Sequence, residues 1–167
     1  SLVFVPKHVQ DRAYAEYRRK SAEYGHSVTP DKLMFSIFCY VAETDEQAER
    51  EGKEHILWYF NKALRTEQRY YVPPGYVSEA TLRGQLNAMG YKPTGGIRTA
   101  KVDWNTAKSY RAILGSPETV ARHLKQWIEE TGAGRVLCHL HLGDMPHWKT
   151  VKNLTLFADE VIPRLRT

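Results

Sequence analysis

The sequence predicts an α/β fold in which helices connect parallel strands. Two apolar runs, residues 33–42 (LMFSIFCYVA) and 135–142 (RVLCHLHL), have the length and composition of strands. Segments with apolar residues at helical spacing lie before and after each run. Parallel strands connected through helices form the right-handed crossover unit from which barrels and doubly wound sheets are built.

The first predicted strand lies between two predicted helices. Apolar spacing predicts a helix over residues 9–24, ended by Gly25. After the strand, Thr44 and Gln47 have the spacing of a capping box, which predicts a second helix to about residue 64. The strand itself is apolar on both faces, so we expect other elements to cover both of them.

The second predicted strand also lies between two helices. Ser116 as N-cap and Pro117 at the first helical position predict the start of the helix before it. A last helix is predicted over residues 146–166, with Pro163 bending its final turn. The residues predicted to face inward from this last helix are Val151, Leu154, Phe157, Ala158, Val161 and Leu165.

Two buried parallel strands do not make a complete sheet. A parallel pair leaves two open edges and an incompletely covered apolar surface. We therefore expect this chain to form part of a larger sheet. The first residue is Ser1 rather than Met, which is consistent with a partial N-terminus.

Hydrophobic periodicity is lost over residues 65–113, apart from a short segment of helical spacing near 78–89. Connections this long are uncommon inside compact domains and often form active-site lids. We expect a mobile lid that closes over a ligand and excludes water, and the alternative is a solvated surface loop. Its aromatic and cationic residues are Tyr70, Tyr71, Tyr76, Arg83, Lys92, Arg98 and Lys101.

Composition limits the classes of partner. A chain of 167 residues fits a single domain, and no apolar run approaches the length of a membrane span. The net charge is +5, but basic residues alternate with acidic ones, so we expect neither nucleic acid nor a membrane as partner. Cys39 and Cys138 lie in the apolar runs without metal-site spacing, which predicts buried thiols and a cytoplasmic location.

Two blocks of sequence resemble the bacterial luciferase-like, flavin-dependent monooxygenases. Residues 113–166 (ILGSPETVARHL through FADEVIPRLR) are similar to the C-terminal end of that family, with a G-S-P-E helix start and a closing FAxEVxPxL helix. Residues 17–60, including YVAET at the end of the first strand, resemble the family segment that contains the seventh strand. The unpatterned segment between the blocks falls where the family has its mobile active-site loop.

The resemblance implies a TIM-type (β/α)₈ barrel of which this chain supplies the last two strands. Because a complete barrel takes about 250 residues, the first six strands would be missing or supplied by another chain. We therefore expect a homo-oligomer or association with the missing barrel half, and no activity of this part alone. The expected domain organisation is one partial domain over residues 1–167, with residues 65–113 as its mobile loop.

The resemblance also implies the chemistry. Reduced FMN would bind and activate dioxygen, which oxidises a small organic substrate. A deazaflavin-dependent oxidoreductase of the same fold is one alternative, and a non-catalytic half-barrel that associates with a partner is another.

The stretch GRVLCHLHLGDMPHWKT contains the candidate site residues. Strand alternation places Leu137, His139, His141 and Gly143 on one face, and Val136, Cys138, Leu140 and Leu142 on the other. The wholly apolar face suits helices, so the histidine face would line the barrel interior, with the catalytic region at the carboxyl ends of the strands.

Under the resemblance, His141 is the candidate catalytic residue. His139, Gly143, Asp144 and Tyr40 are the candidate cofactor contacts, with Gly143 allowing close approach of the flavin ring. The alternatives are a core histidine at His139, a simple turn at Gly143 and Asp144, and packing at Tyr40.

A zinc site is the competing interpretation of the same stretch. His139 and His141 with Asp144 or His147 would supply three ligands. The sequence has no second cluster with ligand spacing, and the family it resembles uses no metal. We therefore expect no metal site.

Overall fold

The computed structural model describes residues 7–63, 75–76, 78–88, 102–109 and 112–166. The helices within these ranges are α1 (Lys7–Glu23), α2 (Asp45–Trp58), α3 (Glu79–Ala88), α4 (Trp104–Ser109), α5 (Pro117–Thr131), α6 (His147–Leu156) and α7 (Ile162–Leu165). The strands are β1 (Met34–Val41), β2 (Ala112–Gly115) and β3 (Arg135–His139). Tyr59–Ala63 continues α2 as a π-helical turn, and Phe157–Val161 connects α6 to α7 in the same way.

The described strands form one parallel sheet in the order β2-β1-β3. Phe38 at the centre of β1 pairs with Ala112 on one side and with His139 on the other. The predicted α/β class and the two predicted parallel strands are confirmed. The third strand, β2, was not predicted, because four residues are too few to show a strand pattern beside the cap of the next helix.

Both faces of β1 are buried, as the sequence predicts. One face packs against α1, α5 and the C-terminal helices in a cluster that we call the helix-side core. Its main members are Tyr14, Phe35, Ile37, Cys39, Val41, Val120, Leu124, Phe157 and Val161. The other face packs against α2 in a cluster that we call the α2-side core, formed by Phe38, Tyr40, Ala42, Ala48, Ile56, Phe60, Ala107, Leu142 and Met145.

The predicted helix starts agree with the structure. The Thr44 hydroxyl accepts a hydrogen bond from Gln47 N at the start of α2, and the Ser116 hydroxyl accepts one from Thr119 N at the start of α5. Gly132 ends α5 with a left-handed φ of 63°. These local signals are strong because each satisfies a backbone group that the helix leaves unpaired.

The predicted lid is only partly described. Within residues 65–113 the structure describes α3, α4 and the first residues of β2, so those parts are not structureless. The short helix predicted near 78–89 corresponds to α3. The predicted lid residues Tyr70, Tyr71, Lys92, Arg98 and Lys101 lie outside the described residues.

The inward face predicted for the last helix was partly wrong. Phe157 and Val161 are buried as predicted, but Val151 and Leu154 are each 47% exposed and Ala158 is exposed as well. The polar Thr150 and Asn153 are buried instead. The polar pair faces inward because both side chains hydrogen-bond to groups at or just beyond the ends of the strands, and the apolar stripe is turned outward as a result.

Both cysteines are free thiols. Cys39 is fully buried in β1, and Cys138 in β3 is partly buried beside the same core. Burial raises the pKa of Cys39 well above its ordinary value and that of Cys138 to about 12, so both stay protonated at neutral pH. Among the described helices, none is long and apolar enough to cross a membrane.

Candidate functional site

The side chain of Asn153 lies between the carboxyl ends of β1 and β3. Its Oδ1 accepts from Val41 N at 2.8 Å, and its Nδ2 donates to Cys39 O at 3.0 Å and Leu140 O at 2.7 Å. These backbone groups would otherwise continue the ladder, whose last pair is Phe38 with His139. The predicted strand over 135–142 therefore ends at His139.

His141 lies beyond the end of β3 and is exposed. Its Nδ1 is 2.9 Å from the Thr150 hydroxyl, which itself lies 3.5 Å from Pro146 O. The hydroxyl can donate to Nδ1 or accept from it, according to the tautomer of His141, and in both cases it fixes the orientation of the ring. The predicted shared face of His139 and His141 is not observed, because strand alternation stops between them.

Leu142 is a further correction. The sequence places it with Val136, Cys138 and Leu140, and those three residues do pack against the helix-side core. Leu142 is instead buried in the α2-side core, beside Met145. The change of side follows from the end of regular strand geometry after His139.

The side chain of His139 lies on the same side of the sheet as that of Phe38. The two rings are 5.6 Å apart, and Phe38 also contacts Tyr59 and Phe60 from the π-helical turn after α2. Burial lowers the pKa of the His139 imidazole, which is therefore neutral at pH 7. A neutral imidazole among aromatic rings could contact the edge of a flat ligand. It could equally be part of a hydrophobic core.

Gly143 and Asp144 form the turn between β3 and α6. Gly143 has a φ of 56°, and a Cβ there would lie 2.5 Å from His55 O. The turn and the close packing against α2 therefore both require a glycine. The reason predicted from the sequence was a different one, close approach of the flavin ring. The Asp144 carboxylate is half-exposed, and its Oδ1 is 2.8 Å from His55 Nδ1.

Tyr40 is fully buried beneath α2, and its hydroxyl donates to Glu51 at 2.7 Å. A Cβ at Gly52 would lie 2.9 Å from Tyr40 Cβ, so helix and strand are in close contact. Burial and the Glu51 carboxylate raise the pKa of the Tyr40 hydroxyl far above its ordinary value. These contacts give Tyr40 a packing role, and its contact to a cofactor stays a prediction.

Sequence reasoning missed a polar network between α2 and α6. Lys152 forms ion pairs with Glu43 at 2.7 Å and Glu51 at 3.3 Å, while Lys149 Nζ lies 3.2 Å from His55 Nε2. A signal for His55 was available, since it follows Ala48 and Gly52 and precedes Ile56 on the buried helical stripe. A polar residue on such a stripe needs a partner inside the fold.

The zinc interpretation receives no geometric support. His139 stacks beside Phe38, whereas His141 is bonded to Thr150. Across the residues that the structure describes, no group of three His, Cys, Asp or Glu side chains could hold a metal ion.

Helix-covered parallel strands with polar residues at their carboxyl ends are consistent with part of a (β/α)₈-type barrel. The family model for luciferase-like monooxygenases matches residues 2–135. The chain therefore belongs to the luciferase-like monooxygenase family.

The chain is also similar to two monooxygenases of Pseudomonas putida. The chain is 26% identical over 162 residues to 3,6-diketocamphane 1,6-monooxygenase of Pseudomonas putida, a match that covers 92% of this chain and 38% of the relative. It is 24% identical over 153 residues to 2,5-diketocamphane 1,2-monooxygenase 2 of the same organism, covering 83% and 36%. The chain thus spans less than two-fifths of the length of these relatives.

Solved structures show the same fold. A monooxygenase from Streptomyces bottropensis has a TM-score of 0.62 at 18% identity, covering 97% of this chain and 40% of that one. The oxygenating constituent of 3,6-diketocamphane monooxygenase from Pseudomonas putida, solved with FMN, has a TM-score of 0.56 at 22% identity, covering 93% and 40%.

Proposed function

We propose that this chain is the C-terminal part of an FMN-dependent monooxygenase that oxidises a small organic substrate with dioxygen. The observation that supports this most directly is the family match over residues 2–135. The names of the Pseudomonas putida relatives add to it, and so does the FMN in one solved structure of the same fold.

The side of the sheet that includes His139 fits a flavin. On the side of the sheet that includes His139, Leu137 is 46% exposed and offers an apolar wall. On the same side, the buried Ser36 hydroxyl makes no hydrogen bond to any residue that the structure describes. An isoalloxazine ring has flat apolar faces and polar edge atoms, which match a wall of this composition.

In this proposal, His139, Gly143 and Asp144 hold the cofactor, and His141 is the catalytic group. When bound, reduced FMN supplies the electrons that activate dioxygen, and the protein orients and shields it. Thr150 fixes the His141 ring through Nδ1, so Nε2 is the atom that would exchange a proton with substrate or cofactor. The neutral His139 imidazole offers a hydrogen-bonding edge without adding charge.

We also propose that flavin binding needs the remaining part of the barrel. β3 is an edge strand in the described sheet, and the helix that follows it, α6, carries the exposed Trp148, Val151 and Leu154. Open strand edges and exposed apolar helix faces are surfaces that folded proteins cover. More than half of the length of each relative lies beyond the matched part, which supports barrel strands as the cover.

The test is flavin binding by this chain alone and by the full-length protein with a complete barrel. We expect FMN retention and quenching of its fluorescence only with the complete barrel, and a parallel titration with a deazaflavin identifies that alternative. Absence of flavin binding by the complete barrel would contradict the proposed function. FMN binding by this chain alone would contradict the need for further strands.

The role of His141 is tested in the same protein. We expect His141→Ala to lower kcat about 100-fold, as loss of a general acid-base group does. His26→Ala, at an exposed position in the loop after α1, is the matched control and should leave kcat unchanged. Equal kinetics of the two variants would assign His141 to packing against Thr150.

A further inference from the structure

We propose that His55 is a positioning residue, which fixes the Gly143–Asp144 turn and thereby the affinity for flavin. The proposal rests on the proposed function, because it takes Gly143 and Asp144 as cofactor contacts. It adds a residue from α2, an element to which the sequence assigned no part in the site.

The first support is a set of contacts between His55 and the turn. Its Nδ1 is 2.8 Å from Asp144 Oδ1, and its backbone carbonyl lies against the Cα of Gly143. One residue of α2 therefore contacts both residues of the turn, through the side chain and the backbone respectively. The His55 side chain is only 7% exposed, so water competes little for the Asp144 bond.

The second support is the other ring nitrogen. His55 Nε2 is 3.2 Å from Lys149 Nζ, which also donates to Glu51 O at 3.3 Å. Since an ammonium group can only donate, Nε2 accepts and the proton is on Nδ1, directed at Asp144. Glu54 lies 3.5 Å from Nε2 and 3.6 Å from Lys149 Nζ, and it balances the lysine charge.

The arrangement leaves Asp144 able to bind a ligand. The carboxylate is 48% exposed, and only its Oδ1 is bonded to His55. An Asp144 held on one side can present its second oxygen in a fixed direction to a hydrogen-bond donor of the cofactor. A buried apolar residue in place of His55 would fill the space but would not orient the carboxylate.

Three variants separate orientation from packing. His55→Phe fills the site and removes both hydrogen bonds, whereas His55→Asn keeps a donor near the position of Nδ1. His123→Phe is the matched control, since His123 is a partly buried histidine of α5 beside Trp127. All are made in the full-length protein.

Two quantities are measured in each variant. The first is the FMN dissociation constant, which should rise about tenfold in His55→Phe, the factor expected for one lost hydrogen bond to a charged group. The second is the amide hydrogen exchange of Met145, whose N donates to Leu142 O at 3.0 Å and closes the turn. In His55→Phe we expect the exchange rate to increase over wild type more at Met145 than at the core amide of Ile37. In His55→Asn we expect the dissociation constant and the Met145 exchange rate to return towards their wild-type values.

The outcomes distinguish this proposal from the proposed function. If the wild type binds FMN and His55→Phe binds it equally well, His55 has no positioning role and the proposed function stands. Uniformly faster exchange at Met145 and Ile37 would show a general loss of stability and would also overturn the positioning role. A wild-type complete barrel that binds no flavin overturns the proposed function itself.

Discussion

At the scale of single residues, a few buried polar side chains decide where the strands end. Asn153 is fully buried and bonds three backbone groups from β1 and the segment after β3. Buried backbone groups are almost always paired, so a side chain that pairs three of them determines the local geometry. The same region contains the candidate His141, whose position therefore depends on Asn153.

We expect Asn153→Ala to lower the free energy of unfolding by about 3 kcal/mol, because it leaves buried backbone groups unpaired. Urea unfolding followed by circular dichroism measures the loss. Asn105→Ala, at an exposed position of α4, is the control and should change stability little. An equal, small effect of both substitutions would mean that water replaces the Asn153 amide.

The ion-pair network of Lys152 predicts a pH dependence. The Lys152 hydrogen bond holds the pKa of Glu43 below its usual value of 4.5. At Glu51, burial acts to raise the pKa, but hydrogen bonds from Gln47, Tyr40 and Lys152 outweigh it and the pKa is lowered. At Lys152, burial acts to lower the pKa, but Glu43 and Glu51 outweigh it and raise the pKa above 10.5.

Carboxylates with lowered pKa values stabilise the fold above their unfolded-state pKa, and they lose this contribution as the pH falls through the folded-state value. The lysine contribution is complete below 10.5 and is lost as the pH rises past its raised pKa. We therefore expect Lys152→Met to destabilise most between the ordinary values of 4.5 and 10.5, with a smaller difference from wild type below that range.

Urea midpoints at a series of pH values measure this difference. Lys20→Met is the control, since Lys20 forms an exposed pair with Glu23 and such pairs contribute little. A difference between wild type and Lys152→Met that stays constant on acidification to about pH 3 would contradict the ionic role of Lys152.

At the scale of elements, helix ends and close contacts fix the layers around the sheet. Asp45 in the first turn of α2 accepts from Ser116 N and from the Thr119 hydroxyl at the start of α5. Hydrogen bonds to these groups lower the pKa of Asp45, with the Ser116 backbone as the first cause. The helices on opposite faces of the sheet are thus connected at their N-terminal ends.

Replacing glycine by alanine is expected to change stability in opposite directions at two positions, one at the end of a helix and one inside a helix. Gly132 has a φ of 63°, so Gly132→Ala should destabilise the protein by about 1 kcal/mol. Gly84 lies inside α3, where an added Cβ would meet no atom of the described residues within 4 Å, so Gly84→Ala should stabilise that helix by about 0.5–1 kcal/mol. Thermal unfolding and helical circular dichroism compare the two, and the same sign for both would contradict the backbone argument.

At the scale of the whole molecule, one surface differs from the rest. Trp148, Val151 and Leu154 are large apolar residues with exposures of 47–61%, and their spacing of three residues places them on one face of α6. Scattered apolar residues are ordinary on a surface, whereas three on one exposed helix face indicate association.

We expect this chain in isolation to associate through that surface. Sedimentation should show concentration-dependent oligomers of the wild type and a shift to monomer in the double variant Val151→Lys, Leu154→Lys. Tyr24→Lys is the control, because Tyr24 is 74% exposed and lies just after the end of α1. A wild type that stays monomeric at high concentration would contradict a role of the stripe in association.

Much of the architecture could be predicted from the sequence because its signals are local. The apolar run of β1 and the caps at Thr44 and Ser116 depend on residues close together in the chain, and the structure confirms them. The family was also predicted, from two blocks of which residues 17–60 and the first part of 113–166 lie within the family match. The end of β3 could not be predicted in this way, because Asn153 lies 13 residues from the Leu140 carbonyl that it binds.

The sequence by itself determined the parallel α/β class, the helix starts, and the presence of His139, His141, Gly143 and Asp144 near a strand end. Only the tertiary structure decided their surroundings: His139 lies against Phe38, His141 against Thr150, and the Gly143–Asp144 turn against His55. The physical reason is the range of each interaction. Periodicity and caps act within a few residues, whereas His55 and Asp144 are 89 positions apart and meet only when α2 packs on the sheet.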